Sequence, residues 1–375
     1  MRSILPDTPQ KKWISLTAVF LIVGVCIWLK LTKNGLGSTV DAQAYLYAAQ
    51  TLSEEGSLRT PYGFYTNWTP LFPLILSVLG ARLSQFLAFF CNVILLSLVV
   101  YHYFPKVSFF KNVCFFHVFI HTAFWMTHFF VWSEAWFMVF LWLCLLCLTK
   151  INHTKYFVML LIASNFLCLE RMAGIFFVGA FTIVVFQTEG FRKAFLYAFF
   201  ATWGLAAWFI RNMFIQNKPD FVDNIWMVSW KESAQGYSDT LFKIFLPNFL
   251  ASHLSILLIF WMCFVIIGYV IWLIKSSDNK IRILLTSILV YLMFMLFFRM
   301  NVEGESERYL SPIIPLVILT FWQKMEFWKE KTPFRYIRWI VYAFGGVIIF
   351  YNLARTFKNI QQWILTPPDL VSLIS

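Results

Sequence analysis

Apolar runs of about 20 residues recur along nearly the whole chain, and polar residues fall in the short breaks between them. As a helix, a run of that length crosses roughly 30 Å of hydrocarbon. Spans are expected near 13–31, 84–104, 112–131, 134–149, 155–170, 172–188, 194–214, 251–274, 281–298, 309–323 and 339–355. The pattern predicts an all-α integral membrane protein of about eleven transmembrane helices. A shorter apolar piece, Pro70–Gly80, cannot cross, and the prolines near its start suit a helix beginning at the interface. The first run, Trp13–Leu31, follows Lys11 and Lys12. It exceeds a signal-peptide core and lacks a small-x-small cleavage site, so it reads as a retained anchor.

The first break carries an amphipathic segment, "DAQAYLYAAQTLSEEGSL", from Asp41 to Leu58. Read as a helix, it places Asp41, Tyr45, Ala48 and Leu52 on one face. Asp41 is then either the N-cap of that helix, or a solvated acid, or a carboxylate aimed at a cavity between spans. Glu54 and Glu55 stand at the other end of the helix.

Composition narrows the class. The chain has 375 residues, 60% hydrophobic and 13% charged, and a mean hydropathy of +0.71. Soluble domains hold roughly 45–50% apolar and about 25% charged residues, so a water-soluble fold is excluded. The net charge of +12 is explained by topology rather than by nucleic acid. With the N-terminus in the cytoplasm, Lys and Arg concentrate in the inner loops around residues 106–111, 150–155, 192–193, 275–282 and 324–338. The segment led by Asp41 then faces outward. The seven cysteines lie in expected spans without disulfide or metal spacing, and Cys144 and Cys147 form their C-x-x-C inside an apolar helix. No internal repeat supports a transporter built from inverted halves. The chain reads as a single polytopic membrane domain, 1–375, with one long polar outer loop near 216–252 and a short external tail.

Candidate chemistry gathers at the outer ends of the helices. Arg171, Arg211, Arg299 and Arg308 all fall there, and arginine binds phosphate bidentately while staying charged. Snorkelling and ion pairing are the alternatives, the latter especially for Arg308 beside Glu303, Glu305 and Glu307. Tyr309 is either a phosphate donor or an interfacial anchor. In "PYGFYTNW", Tyr65 and Trp68 are either sugar-stacking faces or membrane-interface aromatics. His117, His121 and His128 share one face of a continuous third span, where they are metal ligands or helix–helix contacts, with His128 nearest the outer end.

Five stretches in order carry a resemblance. They are the Asp41 segment with "NWTPLFPLILSVLG", then "VWSEAWFMVFLWL" with Glu134, "LCLERMAGIFF" with Arg171, "AWFIRNMFI" with Arg211, and "ERYLSPIIPLVIL" with Arg308 and Tyr309. Together they resemble the GT-C polytopic glycosyltransferases, in the branch of protein O-mannosyltransferases and lipid A aminoarabinose transferases. The likeness covers roughly residues 13–320; residues 321–375 would add a final span and tail. It implies a monosaccharide moved from a polyprenyl-phosphate carrier to a lipid, glycan or protein acceptor on the outer face. It maps the family's first-loop acid onto Asp41, as base or metal-associated residue, and offers either Glu54 and Glu55 or Glu134 as the partner acid. No cofactor is assigned; some members use a divalent metal ion, for which Asp41 and Glu134, with His128 from the histidine row, are the candidate ligands. The chain lacks the large C-terminal external domain of many members. A polytopic transporter or lipid flippase is the competing reading, and a non-enzymatic membrane subunit a third.

Overall fold

The apolar runs fold as helices because a chain in hydrocarbon must satisfy every backbone polar group internally. A computed structural model describes residues 9–61, 63–104, 108–216, 229–246, 255–298, 306–331, 335–365 and 370–371. In chain order the elements are α1 (Pro9–Leu31), β1 (Leu36–Gly37), α2 (Val40–Glu55), β2 (Arg59–Thr60), β3 (Gly63–Phe64) and α3 (Leu71–Tyr103). Then come α4 (Phe109–Ile120), α5 (Thr122–Phe129), α6 (Glu134–Leu148), α7 (Thr154–Glu170), α8 (Gly174–Glu189), α9 (Phe191–Ala201), α10 (Trp203–Gln216) and α11 (Trp230–Lys243). The remainder are α12 (Ser255–Lys275), α13 (Asn279–Phe298), α14 (Ser306–Leu310), α15 (Ile314–Lys331), α16 (Arg335–Leu365) and β4 (Leu370–Val371).

Among the described residues, four helices are long and apolar enough to cross a membrane: Gln10–Leu31, Leu71–Tyr103, Asn279–Phe298 and Arg338–Leu365. The pair Phe191–Ala201 and Trp203–Ile215, bent by 41° at its junction, makes a fifth. Phe109–Ile120, Glu134–Leu148, Gly174–Glu189 and Phe260–Lys275 are shorter apolar helices of the same bundle. The protein is an all-α integral membrane protein.

Several expected boundaries move, each for a local reason. The interfacial piece at 70–80 and the span at 84–104 follow one another within α3 and are separated at Gly80, whose non-helical φ of 70° and ψ of 161° a side chain would resist. The single span expected at 112–131 is two helices, α4 and α5, separated at His121. That residue is extended, with φ −73° and ψ 135°, and its Nδ1 accepts the Ala123 N–H at 3.1 Å as a side-chain cap. The outer loop expected near 216–252 contains α11, started by a reciprocal capping box between Ser229 and Glu232. The last span runs on past Arg355 to Leu365.

Several polar side chains inside the bundle pair with neighbouring segments. Asn92 of α3 donates to the Ala135 carbonyl at 2.7 Å and accepts the Trp142 indole N–H at 2.9 Å. Gln85 donates to the Trp132 carbonyl at 2.9 Å, and Trp136 donates to Ser84 at 2.9 Å. One face of α3 therefore clamps the first turns of α6. A glycine serves close approach at Gly174, where a Cβ would lie 2.6 Å from the Leu167 carbonyl oxygen. The Gly174 N–H bonds back to the Arg171 carbonyl at 2.8 Å, closing the α7–α8 turn. Gly174→Ala is expected to lower the thermal unfolding midpoint in detergent, because backbone atoms cannot retreat as a side chain does. An unchanged midpoint would contradict this packing.

Candidate active site

Helix α2 places its acid by an unexpected cap. Thr39, not Asp41, is the N-cap: it is extended and its hydroxyl accepts the Ala42 N–H at 3.3 Å. Asp41 lies in the first helical turn, where a carboxylate is favoured by the helix dipole and its oxygens are not consumed in capping. The helix ends at Gly56, in the left-handed region at φ 68°, whose N–H reaches the Leu52 carbonyl at 3.1 Å. Upstream, the Val131 N–H bonds to the Gly37 carbonyl at 3.0 Å, fixing the start of α2 beside the segment that leads into α6. Thr39 also accepts the Trp132 indole N–H at 3.2 Å.

Four charged residues from four distant parts of the chain meet there. Arg308 donates through Nε to Glu134 Oε1 at 2.5 Å and through Nη2 to Asp41 Oδ2 at 2.7 Å. The same Glu134 Oε1 receives Arg171 Nη1, which also reaches the Ser133 hydroxyl at 3.3 Å. The Arg308 guanidinium lies over the Trp132 ring, 4.7 Å from its centroid. The side chains of Glu134 and Arg308 are 1% and 3% exposed, that of Asp41 29%. These four bring two carboxylates and two guanidiniums together, and Asp41 is the most exposed of them.

Glu170, next to Arg171, is also buried, and neither of its carboxyl oxygens has a hydrogen-bond partner among the described residues. Its backbone carbonyl accepts the Thr69 hydroxyl at 2.8 Å, which ties the α7 terminus to the loop before α3. Glu134 Oε2 is likewise buried without such a partner.

Tyr45, one turn beyond Asp41, connects this cluster to a group of aromatics. Its ring meets Phe72 at 5.1 Å and Trp68 at 6.0 Å between centroids, and Trp68 stacks on Tyr65 at 5.8 Å. Burial pushes the Tyr45 phenol above its ordinary value, Asp41 adds to the shift, and Arg171 and Arg308 oppose it. Burial does the same to Tyr65, helped by Tyr45 and Glu170. Both hydroxyls therefore stay neutral at physiological pH. Arg211 lies over the Trp208 ring at 4.4 Å and donates to the Tyr65 carbonyl at 3.0 Å and to Asn212 at 2.8 Å. It belongs to this aromatic group rather than to the charged cluster.

Of the remaining candidates, Tyr309 is half-buried and its carbonyl accepts the Tyr291 hydroxyl at 2.7 Å. Glu307 beside it pairs with Arg355 at 2.5 Å, which braces the short helix that carries Arg308. Glu54 bonds Gln50 at 2.9 Å and Glu55 pairs with Arg59 at 3.4 Å, at the exposed end of α2. Arg299 lies outside the described residues. Trp132 and Ser133 carry no charge to mark them in the sequence; their only signal is that they directly precede Glu134.

The histidine row expected on one straight helix is instead divided by the break at His121. His117 accepts the Trp322 indole N–H at 3.1 Å. His128 faces the Phe124 carbonyl through Nδ1 at 2.6 Å and Asn92 Nδ2 through Nε2 at 2.9 Å. A carbonyl only accepts, so Nδ1 carries the proton, and the Nε2 lone pair is spent on Asn92. Among the described residues, no three His, Cys, Asp or Glu side chains gather into a group that could hold a metal. The acids at the site fit guanidinium groups in this arrangement, since Asp41 Oδ2 and Glu134 Oε1 both accept from arginine.

Neither a family model nor a curated protein matches the chain. Two solved structures do. ArnT from Cupriavidus metallidurans in the apo state aligns with a TM-score of 0.55 at 11% identity, covering 96% of this chain and 77% of that one. The same protein bound to undecaprenyl phosphate aligns with a TM-score of 0.54 at 13% identity, covering 82% and 60%. In that second alignment the chain spans three fifths of ArnT's length. The likeness shows the fold, which is GT-C-like.

Burial orders the four charges by their cost of removal. Glu134→Ala leaves two guanidiniums buried without their shared acid and is expected to cost about 3–5 kcal/mol. Asp41→Ala, at the accessible edge, is expected to cost under ~1 kcal/mol. Chemical unfolding in detergent measures both, and equal losses would contradict the central place of Glu134.

Proposed function

We propose that this protein is an integral-membrane glycosyltransferase that moves a monosaccharide from a polyprenyl-phosphate carrier to a lipid, glycan or protein acceptor. The observation that carries the reading is the convergence of Asp41, Glu134, Arg171 and Arg308 on one cluster. The GT-C-like fold supports it, as does the undecaprenyl phosphate bound by ArnT. On this reading the N-terminus is cytoplasmic and the cluster faces the opposite side, in keeping with the positive-inside bias of the loops.

The chemistry follows from the charges. An acceptor hydroxyl attacks the anomeric carbon in line and forms a new C–O bond. The bond from that carbon to the phosphate oxygen breaks with inversion, and polyprenyl phosphate departs with the electron pair. Asp41 takes the hydroxyl proton, as the acid that is both accessible and at the mouth of the cluster. Arg308 and Arg171 stabilise the negative charge that grows on the leaving phosphate. Glu134 does not face the reactants; it holds the two guanidiniums in place. Trp68, joined to the cluster through Tyr45, offers partly exposed aromatic surface suited to the C–H faces of a sugar, and Tyr65, expected to share that role, is wholly buried and backs it. Tyr309, adjacent to Arg308, is the remaining candidate donor to the phosphate.

Asp41→Asn preserves shape and removes the base. It is expected to lower transfer from a labelled polyprenyl-phosphate sugar in detergent by about 10²–10⁴-fold. Full retention of transfer would overturn the role of Asp41.

A further inference from the structure

The pairing of Asp41 with Arg308 poses a difficulty for this chemistry. A base engaged with a guanidinium is a weak base, and a guanidinium engaged with a carboxylate is a poor phosphate ligand. The geometry divides the Arg308 fork between two acids of very different accessibility. Nε goes to Glu134, 1% exposed, and Nη2 goes to Asp41, 29% exposed. The Glu134 contact is held further by Arg171 on the same oxygen. The Asp41 contact sits at the end of a helix capped independently by Thr39, so Asp41 can turn away without disturbing α2.

We propose that the lipid phosphate of the donor displaces Asp41 from Nη2 of Arg308, so that donor binding itself frees the Asp41 carboxylate to act as base. Glu134 and the Trp132 ring hold the guanidinium in place during this exchange. An incoming phosphate adds negative charge beside Asp41 and Glu134 and favours departure of the carboxylate that solvent can receive, which is Asp41. The device keeps the base masked until a donor is bound. This inference rests on the proposed function, since it requires a lipid phosphate at the site.

The test is binding of undecaprenyl phosphate to the full-length protein in detergent, with undecaprenol as the uncharged control. Asp41→Asn and Asp41→Ala both remove the competitor and are expected to bind the phosphate about threefold to tenfold more tightly than wild type, although transfer is lost. In an Arg308→Gln background, or Arg308→Lys if the first does not yield folded protein, the gain is expected to shrink or vanish. Unchanged or weaker binding by both Asp41 variants would overturn the exchange. So would an equal gain in the Arg308 background, which would mean simple repulsion between charges. If wild type and variants bind the phosphate no better than undecaprenol, the functional reading fails and the exchange fails with it.

Discussion

The arrangement turns on one carboxylate oxygen. Glu134 Oε1 accepts from both Arg171 and Arg308, at a side chain almost wholly removed from solvent. Charges in such surroundings are costly unless paired and hydrogen-bonded, so each of the three residues requires the others. Two guanidiniums side by side would repel; the shared acid makes their proximity tolerable. Two guanidiniums can therefore be held together at the end of an apolar bundle.

Much of the surrounding structure serves to keep Glu134 where it is. The buried amides of Asn92 and Gln85 and the hydroxyl of Ser84 fasten the start of α6 to α3. Trp132, just before α6, is held by Thr39 and underlies Arg308. Thr39 also caps the helix that carries Asp41, so one hydroxyl links Asp41 to the residues that position its partner. The Arg355–Glu307 pair and the Tyr291 hydroxyl fix the short helix bearing Arg308. The Gly174 turn sets the direction of Arg171. These are polar contacts in an apolar setting, where an unmet group is costly and each met one constrains its neighbours.

The helical, membrane-embedded character was legible because apolar run length reports it directly. So were Arg171 and Arg308, as charges at the ends of apolar runs, Asp41, as the acid that opens the amphipathic segment, and Glu134, through the resemblance. Their mutual contacts were not. The partners stand up to 267 positions apart, from Asp41 to Arg308, and no local pattern records which arginine meets which acid. Glu134 was a candidate metal ligand on the resemblance, and no sequence pattern indicated that one of its oxygens accepts from two guanidiniums. The histidine row failed as a single face because it assumed a straight helix. The break at His121 has no proline or glycine, only a histidine able to cap α5. Gly80 did carry its signal, since the non-helical break there falls between the short apolar piece and the span that follows. The antiparallel pairing of Leu36–Gly37 with Leu370–Val371 is made by main chain alone, and side-chain pattern does not record it.

The same cluster links fold to chemistry: a buried acid holds two cations, and an accessible acid shares one of them. The most direct measurement of that arrangement is a double-mutant cycle on stability with Glu134→Leu and Arg308→Met, by chemical unfolding in detergent. The account predicts that the double substitution costs less than the two singles together, with a coupling of about 1–3 kcal/mol. Additive losses would mean that Glu134 and Arg308 do not depend on each other, and would contradict the account at its centre.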